Sequence, residues 1–516
     1  MSEHESSRPG WRVASGHSAT TRAAWEVLDS GGNAADAAIA AAAAACTAEP
    51  LLASLGGGML AIVRTPGQDP VALDAFTQTP RHRSAGPLDF YPIIGHFGTD
   101  TQEFHVGLAS MATPGAIAGL AALSERFGRL PLRDALQPAI DIAREGVALN
   151  AMQRYTLEIL QPIVRSSPDC ARLFGLADPD GQLPAEGDRL GNRALGDFLE
   201  QFGREGRACF YRGEPTSWVA EACRERGGHL RREDFETYRA RWRRPLRWRY
   251  RGARLYSTPP PAFGGLMLAM ALGRLEQTLP NPPENQAALW PALVEALDWT
   301  DRIRHRLETT EVLASTSALE QQFAALCQEH SLVQVGTTHI SIEDADGLGV
   351  ALTLSNGEGS GTIIPGTGIM MNNMLGEEDI NRCGFHAWPR DQRLASMMAP
   401  TLIEAGSRHW LLGSGGSNRI RSALTQVIVH LIDLGHSLED AILAPRFHIE
   451  GGRIAAEAPD DRMLPIGRQW WHRHDPETRL WPERNLYFGG VHAISDRDAA
   501  ADPRRQGHAG TGTAET

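Results

Sequence analysis

Alanine crowds one early stretch of the chain. Ala34-Ala35-Asp36-Ala37-Ala38-Ile39 leads into six consecutive alanines, Ala40 to Ala45, and then Cys46-Thr47-Ala48. Alanine is the strongest helix former. The turn residues Gly31-Gly32 precede the run, Asn33 or Asp36 can cap it, and Glu49-Pro50 stops it. A helix with small side chains on every face gains stability only where neighbours approach closely on every side. The run therefore predicts a buried central helix over 34–48. It is too short for a bilayer core and carries Asp36, so no membrane span is expected.

The chain has 516 residues, enough for one large domain or several small ones. Its net charge of −12 argues against nucleic acid as a partner. The Arg-rich stretch Arg239 to Arg254 is interleaved with Trp and Tyr and reads as a strand pair with solvated arginines. The six cysteines are scattered and the histidines form no metal-binding spacing, so free thiols and no metal site are expected. Met1 to Arg12 is polar and lacks an apolar signal segment, which predicts a cytoplasmic protein.

Along the chain, Ser54 to Val63 reads as a glycine turn running into a strand. Residues 113–148 predict two helices, Leu246 to Tyr256 alternates as strand does, and Leu266 to Leu275 and 287–329 read as helical. From 332 to 356 the pattern changes to two short strands around an Asp346-Gly347 turn. Asn372 to Arg393 is a polar loop and Thr401 to Leu412 a hairpin. Gly413-Ser414-Gly415-Gly416-Ser417 then precedes a helix over 418–434. That glycine turn is either a plain strand-to-helix connection or an oxyanion-binding loop of backbone N–H groups. The tail from 505 to 516 reads as disordered.

The run with chemical potential is Gly336-Thr337-Thr338-His339-Ile340-Ser341. A threonine hydroxyl is a weak nucleophile without an adjacent base. Cutting the chain just before it supplies one, its own α-amine. The plainer alternative is that Thr337 and Thr338 are ordinary strand residues.

Taken together, these motifs resemble the γ-glutamyltranspeptidase (glutathione hydrolase) family of N-terminal-nucleophile hydrolases. The resemblance runs from about Val13 to Gly510. It is carried by Gly31 to Ala38, Glu49-Pro50, Thr113-Pro114-Gly115, Gln137-Pro138-Ala139, Tyr250-Arg251-Gly252 and Pro259-Pro260-Pro261. Thr337-Thr338-His339, Asn372-Asn373, Pro400-Thr401, Gly413-Ser414, Ala444 to His448 and Asp502-Pro503-Arg504 complete it. The family implies an α+β fold, a four-layer αββα sandwich with two antiparallel-rich sheets between helical layers. It implies a zymogen cut before Thr337 into a large piece, 1–336, and a small piece, 337–516, that stay associated as one unit. Thr337 is then the nucleophile toward a small-molecule amide, with water or an acceptor amine releasing the acyl group. Ser355 falls where the family orients the nucleophile with a hydroxyl, and Thr353 is the alternative if the register slips. Gly415 and Gly416 fall in the oxyanion loop, and the resemblance implies that no metal or organic cofactor is needed.

The departures concern the γ-glutamyl head site. The family's carboxylate-binding arginine shortly after a Leu-Asp pair corresponds to Phe76 here, or to Ala75 with a one-residue slip, and Arg81 or Arg83 is a candidate substitute. The amine-binding positions correspond to Gly357, beside Asn356, and to Met374 and Glu377, with Glu378 adjacent. The Ser-Ser pair corresponds to Ser396-Met397. Phe385, His386 and Trp388 suggest a more aromatic pocket. The resulting readings are a γ-glutamyl hydrolase or transferase with new anchors, a homologue acting on a different amide or on a C–C bond beside a keto-acid group, and a non-catalytic scaffold.

Overall fold

The computed structural model describes residues 9–97, 100–279, 286–306, 336–377, 384–458 and 468–513. Two large sheets organise them. Their strands, in chain order, are β1 (Pro9–Ser15), β2 (Gly58–Arg64), β3 (Val71–Ala75), β4 (Arg241–Arg243), β5 (Leu246–Tyr250), β6 (Ala253–Ser257) and β7 (Thr337–Glu343). They continue with β8 (Gly349–Ser355), β9 (Thr401–Ala405), β10 (Arg408–Gly415), β11 (Gly490–Ser495), β12 (Ala499–Ala500) and β13 (His508–Thr513). One sheet runs β13-β1-β7-β8-β2-β3-β4, the other β12-β11-β10-β9-β6-β5.

The β7–β8 hairpin is central to the first sheet. Asp344 makes its turn: its Oδ1 accepts the N–H groups of Asp346 and Leu348, both at 3.0 Å. Gly347 sits at φ +80°, a conformation that favours glycine. Every residue of both strands is buried. With period two, Thr337, His339 and Ser341 face the second sheet, whereas Ile340 and Ile342 face the helices. Between the sheets lies a thin apolar layer: Ala14, Ile62 and Ala351 from one, Leu402, Leu411 and Ile494 from the other.

The alanine run is helix α2 (Ala34–Ala48), and all of it but Cys46 is buried. Asn33 and Asp36 form a reciprocal capping box. The helix packs on α1 (Ser18–Asp29), on α3 (Ala116–Phe127) and on the outer face of β7 and β8. Asp344 Oδ2 also accepts the Ala34 N–H at 2.9 Å, tying the hairpin turn to the start of the helix. Helices α4 (Gly264–Thr278), α5 (Gln286–Arg306) and α6 (Arg419–Ile432) share a second core with the other sheet. The expected helix over 287–329 is α5 as far as Arg306; its remainder lies outside the described residues. Among the described residues no helix is long and apolar enough to cross a membrane.

The tail differs from expectation. Residues 508–513 form the edge strand β13, pairing antiparallel with β1 from Ser15↔His508 to Trp11↔Gly512. Small residues made this segment read as disordered, but here they are what lets it fit. Gly510 lies against the Trp25 ring and Gly512 against Trp11, where a Cβ would come within 2.4 and 2.2 Å of ring atoms. Deleting residues 507–516 should uncover both tryptophans and the edge of β1, lowering stability by about 2 kcal/mol or more and promoting aggregation. Urea unfolding and light scattering check this.

Candidate active site

Thr337 opens β7 and is 2% exposed. The ladder sets it directly opposite Ser355 at the end of β8. Ser355 Oγ donates to the Gly336 carbonyl at 2.7 Å and accepts the Gly357 N–H at 3.3 Å. The peptide carbonyl just before Thr337 is therefore already polarised by a hydroxyl. Thr353 lies on the same strand face but is opposite His339, and its Oγ1 is 2.8 Å from His339 Nδ1. Of the two hydroxyls, Ser355 is the one at the Gly336–Thr337 bond.

The glycine turn after β10 reaches the same place. A Cβ on Gly415 would lie 2.1 Å from the Thr337 carbonyl oxygen and 2.8 Å from Arg505 Nη1, so glycine is the residue that fits. Gly416, at φ +118°, packs against Gly489. Arg505 donates to the Thr337 carbonyl at 2.9 Å. It ends a short helical turn, Pro503–Arg505, that Asp502 caps. Asp502 is itself held by Arg446 at 2.7 Å and by Arg504 at 3.2 Å. Sequence reasoning missed Arg505 because it assigned the residue to the tail. Its place directly after Asp502-Pro503-Arg504 was the available signal.

Behind β7, the Thr338 hydroxyl donates to Glu49 Oε2 at 2.5 Å and the Thr20 hydroxyl to Glu49 Oε1 at 3.1 Å. Glu49 caps the end of α2. Burial pushes its carboxyl up to about 7, against the pull of the two hydroxyls and of Arg505.

Three of the head-site positions are apolar and crowded. Phe76, Met374 and Met397 are all buried. Phe76 lines a small recess with Leu60, Asp74, Thr258 and Ser396. The Leu73-Asp74 pair has an arginine after all, from another segment. Arg393 Nε is 3.2 Å from Asp74 Oδ1, and its Nη1 donates to the Phe76 carbonyl at 2.6 Å. Its Nη2 donates to the Arg239 carbonyl, so this guanidinium is committed to protein groups. Arg81 is engaged with other groups. It pairs with Asp391 at 2.8 Å and donates to Thr237 at 3.2 Å, partners nearer the surface than the recess. Arg83 likewise stacks on Trp388, 5.0 Å from the ring centroid.

At Gly357, φ is +69° and a Cβ would lie 2.1 Å from Asn373 Oδ1, so an asparagine side chain has no room there. The neighbouring Asn356 carboxamide is fully buried with no partner among the described residues at either end. Glu377 is buried beside Glu358, whose carboxyl is pushed up by burial despite hydrogen bonds from Glu377 and Asn373. Phe385, His386 and Trp388 do cluster: Phe90 and His105 stack at 4.6 Å, Phe385 packs 4.2 Å from His105, and His386 bonds His229 at 3.1 Å. Among the described residues no group of three or more metal-ligating side chains is assembled.

Relatives of this chain include proteins named as a glutathione hydrolase and as an acylase. It is 28% identical to the glutathione hydrolase proenzyme of Escherichia coli K12, over 84% of this chain and 80% of that one. It is 30% identical to the Acylase ACY 1 proenzyme of Pseudomonas sp. strain V22, over 86% and 83%. Its fold matches the crystal structure of cephalosporin acylase from Bacillus halodurans with a TM-score of 0.80 and 24% identity, covering 99% of this chain and 97% of that one. The gamma-glutamyltranspeptidase family description matches residues 20–511, and the chain belongs to that family.

Buried histidines set an acid limit on the fold. His339 bonds Thr353 and Ser341, and burial holds it well below the usual histidine range. Burial likewise takes His492 and His430 to about 3 and His17, His229 and His448 to about 4. Depressed folded values mean these six rings are neutral when folded and take up protons on unfolding below about pH 6.5. Glu49 and Glu358, shifted upward, have the opposite sign. The lowered histidines outnumber the two carboxyls raised to about 7, so the unfolded chain binds more protons than the folded one near pH 5. Stability should therefore fall steadily from about pH 6.5 to 4, which denaturant titrations across that range check.

Proposed function

We propose that the chain cuts itself between Gly336 and Thr337, and that Thr337 then works as an N-terminal nucleophile on an amide whose acyl group is not a free γ-glutamyl head. The observation that carries this reading is the Ser355 hydroxyl on the Gly336 carbonyl, directly across the ladder from Thr337. In the first step Thr337 Oγ attacks the Gly336 carbonyl carbon. Charge develops on the oxygen that Ser355 already contacts. The C–N bond breaks, the Thr337 α-amine is freed, and water hydrolyses the resulting ester. Pieces 1–336 and 337–516 stay together through the β1–β7 and β8–β2 ladders and the paired cores of a four-layer αββα sandwich.

In the second reaction the α-amine takes the proton from Thr337 Oγ as the hydroxyl attacks a substrate amide. The Gly415-Gly416 loop supplies backbone N–H groups for the oxyanion, and Ser355 orients the hydroxyl. The leaving amine departs with a proton, and water or a second amine cleaves the acyl–Thr337 ester.

The acyl preference follows from the head region. Phe76, Met374 and Met397 are apolar and buried, and Arg393 is spent on Asp74 and two carbonyls. A carboxylate finds no bidentate partner there; each missing charge-assisted bond costs about 1.5–3 kcal/mol. An apolar or aromatic acyl group suits the region, in keeping with a relative named as an acylase.

Intact-mass measurement should find two pieces in the wild type, with Thr337 as the new N-terminus, and one uncut chain in Thr337→Ala. Ser355→Ala should slow cleavage about a hundredfold or more, and Ser355→Thr should restore it. A wild type that stays whole sinks the mechanism. Across a panel of acyl anilides, kcat/KM should favour apolar acyl groups over γ-glutamyl by about tenfold to a hundredfold; equal or better γ-glutamyl hydrolysis would contradict the proposed specificity.

A further inference from the structure

Once the 336–337 bond is gone, Thr337 is a chain end that must hold its geometry without a preceding residue. Its backbone is held by the ladder to β8 and by the Arg505 guanidinium on its carbonyl, and it follows whatever holds the next residue. Thr338 points to the opposite sheet face, toward the end of α2, where its hydroxyl meets Glu49 at 2.5 Å. Space is reserved for this contact. A Cβ on Gly16 would lie 2.2 Å from Glu49 Oε2 and 2.9 Å from Thr338 Oγ1. Glu49 is an unusual residue for its place. It is 2% exposed and stands at a helix C-terminus, where the backbone dipole already presents negative charge. A neutral cap would cost less there.

We propose that Glu49 is a positioning residue for Thr337: through the Thr338 hydroxyl it holds the Thr337–Thr338 peptide against Arg505, and its charge sets the proton affinity of the freed α-amine. The proposal rests on the reading of Thr337 as a self-released nucleophile. A guanidinium on the Thr337 carbonyl disfavours a protonated amine one residue-length away, whereas a carboxylate behind Thr338 favours it. The two opposite charges bracket one peptide and act on it with opposite sign. The groups that face Glu49 are Thr338 from β7, Thr20 from α1, Cys46 from its own helix and Arg505 from the turn after Asp502. Arg505 is the cation among them, so Glu49 and Arg505 form a coupled pair across the nucleophile's backbone.

The test uses full-length wild type, Thr338→Val, Thr338→Ser and Glu49→Gln, each checked by intact mass and assayed on one apolar-acyl anilide across pH. Removing the Thr338 hydroxyl should lower kcat by about tenfold or more with KM within about twofold, since the loss is one of alignment. Thr338→Ser should recover most of that loss. Glu49→Gln removes a negative charge, so the amine should lose its proton at lower pH and the acid limb of kcat/KM should move down by about half a unit or more. A purely structural cap would lower activity without moving that limb. Unchanged kcat in Thr338→Val together with a superimposable pH profile in Glu49→Gln would overturn the proposal while leaving Thr337 as nucleophile. A wild type that neither splits nor hydrolyses any anilide would overturn the functional reading itself, and this inference with it. Should Glu49→Gln fail to fold, the Thr338 pair still decides between alignment and mere packing.

Discussion

The register of one hairpin governs the site. Asp344 closes the turn between β7 and β8 with two backbone N–H groups, and from there the pairing runs without a slip to Thr337 opposite Ser355. A shift of one residue would send Thr337 to the helix side and bring Thr338 to the sheet interface. The side-chain chemistry of each face makes that shift costly. Ile340 and Ile342 would leave the apolar core around α2, and His339 would lose both hydroxyl partners. The position of Thr337, the proposed nucleophile, is thus fixed by packing well away from it, and the glycine at 415 makes room for its carbonyl rather than defining its place.

Around this rigid centre the recognition region is of a different character. Its arginine, Arg393, comes from the segment before Ser396 and neutralises Asp74, leaving the recess beside Phe76 without a free cation among the residues that line it. Arg243 pairs with the other oxygen of Asp74 at 2.8 Å, so that carboxylate is fully compensated. The fold thus sets a polar, hydrogen-bonded strand end at Thr337 beside an apolar recess at Phe76.

Much of this was legible in the sequence. The alanine helix, the β7–β8 hairpin and the Thr401–Ala405 and Arg408–Gly415 strands follow from composition and alternation, which are local signals. Ser355 was preferred over Thr353 on spacing, and the ladder places it opposite Thr337. What was not legible depended on long-range contact. The tail segment His508–Thr513 has only its threonines to favour a strand and becomes one because β1 offers an edge and two tryptophan faces. Arg81 and Arg83 were candidates by proximity in sequence, but Asp391 and Trp388, some three hundred residues later, claim them. Glu49 and Arg505 come together only through the fold.

Helix α2 has one property that its monotonous sequence conceals. Its first N–H is bonded to Asp344 at the far end of β7, and the residue after its last turn is bonded to Thr338 at the near end. Fifteen helical residues span about 22 Å, and the six steps from Thr338 to Asp344 span about 20 Å of strand. The alanine rod therefore acts as a gauge block laid along β7, matched to it in length and pinned at both tips. Individual alanines can be exchanged for other small residues with little consequence, but their number cannot change. Adding or removing one would turn Glu49 by about 100° around the helix axis and carry it away from Thr338.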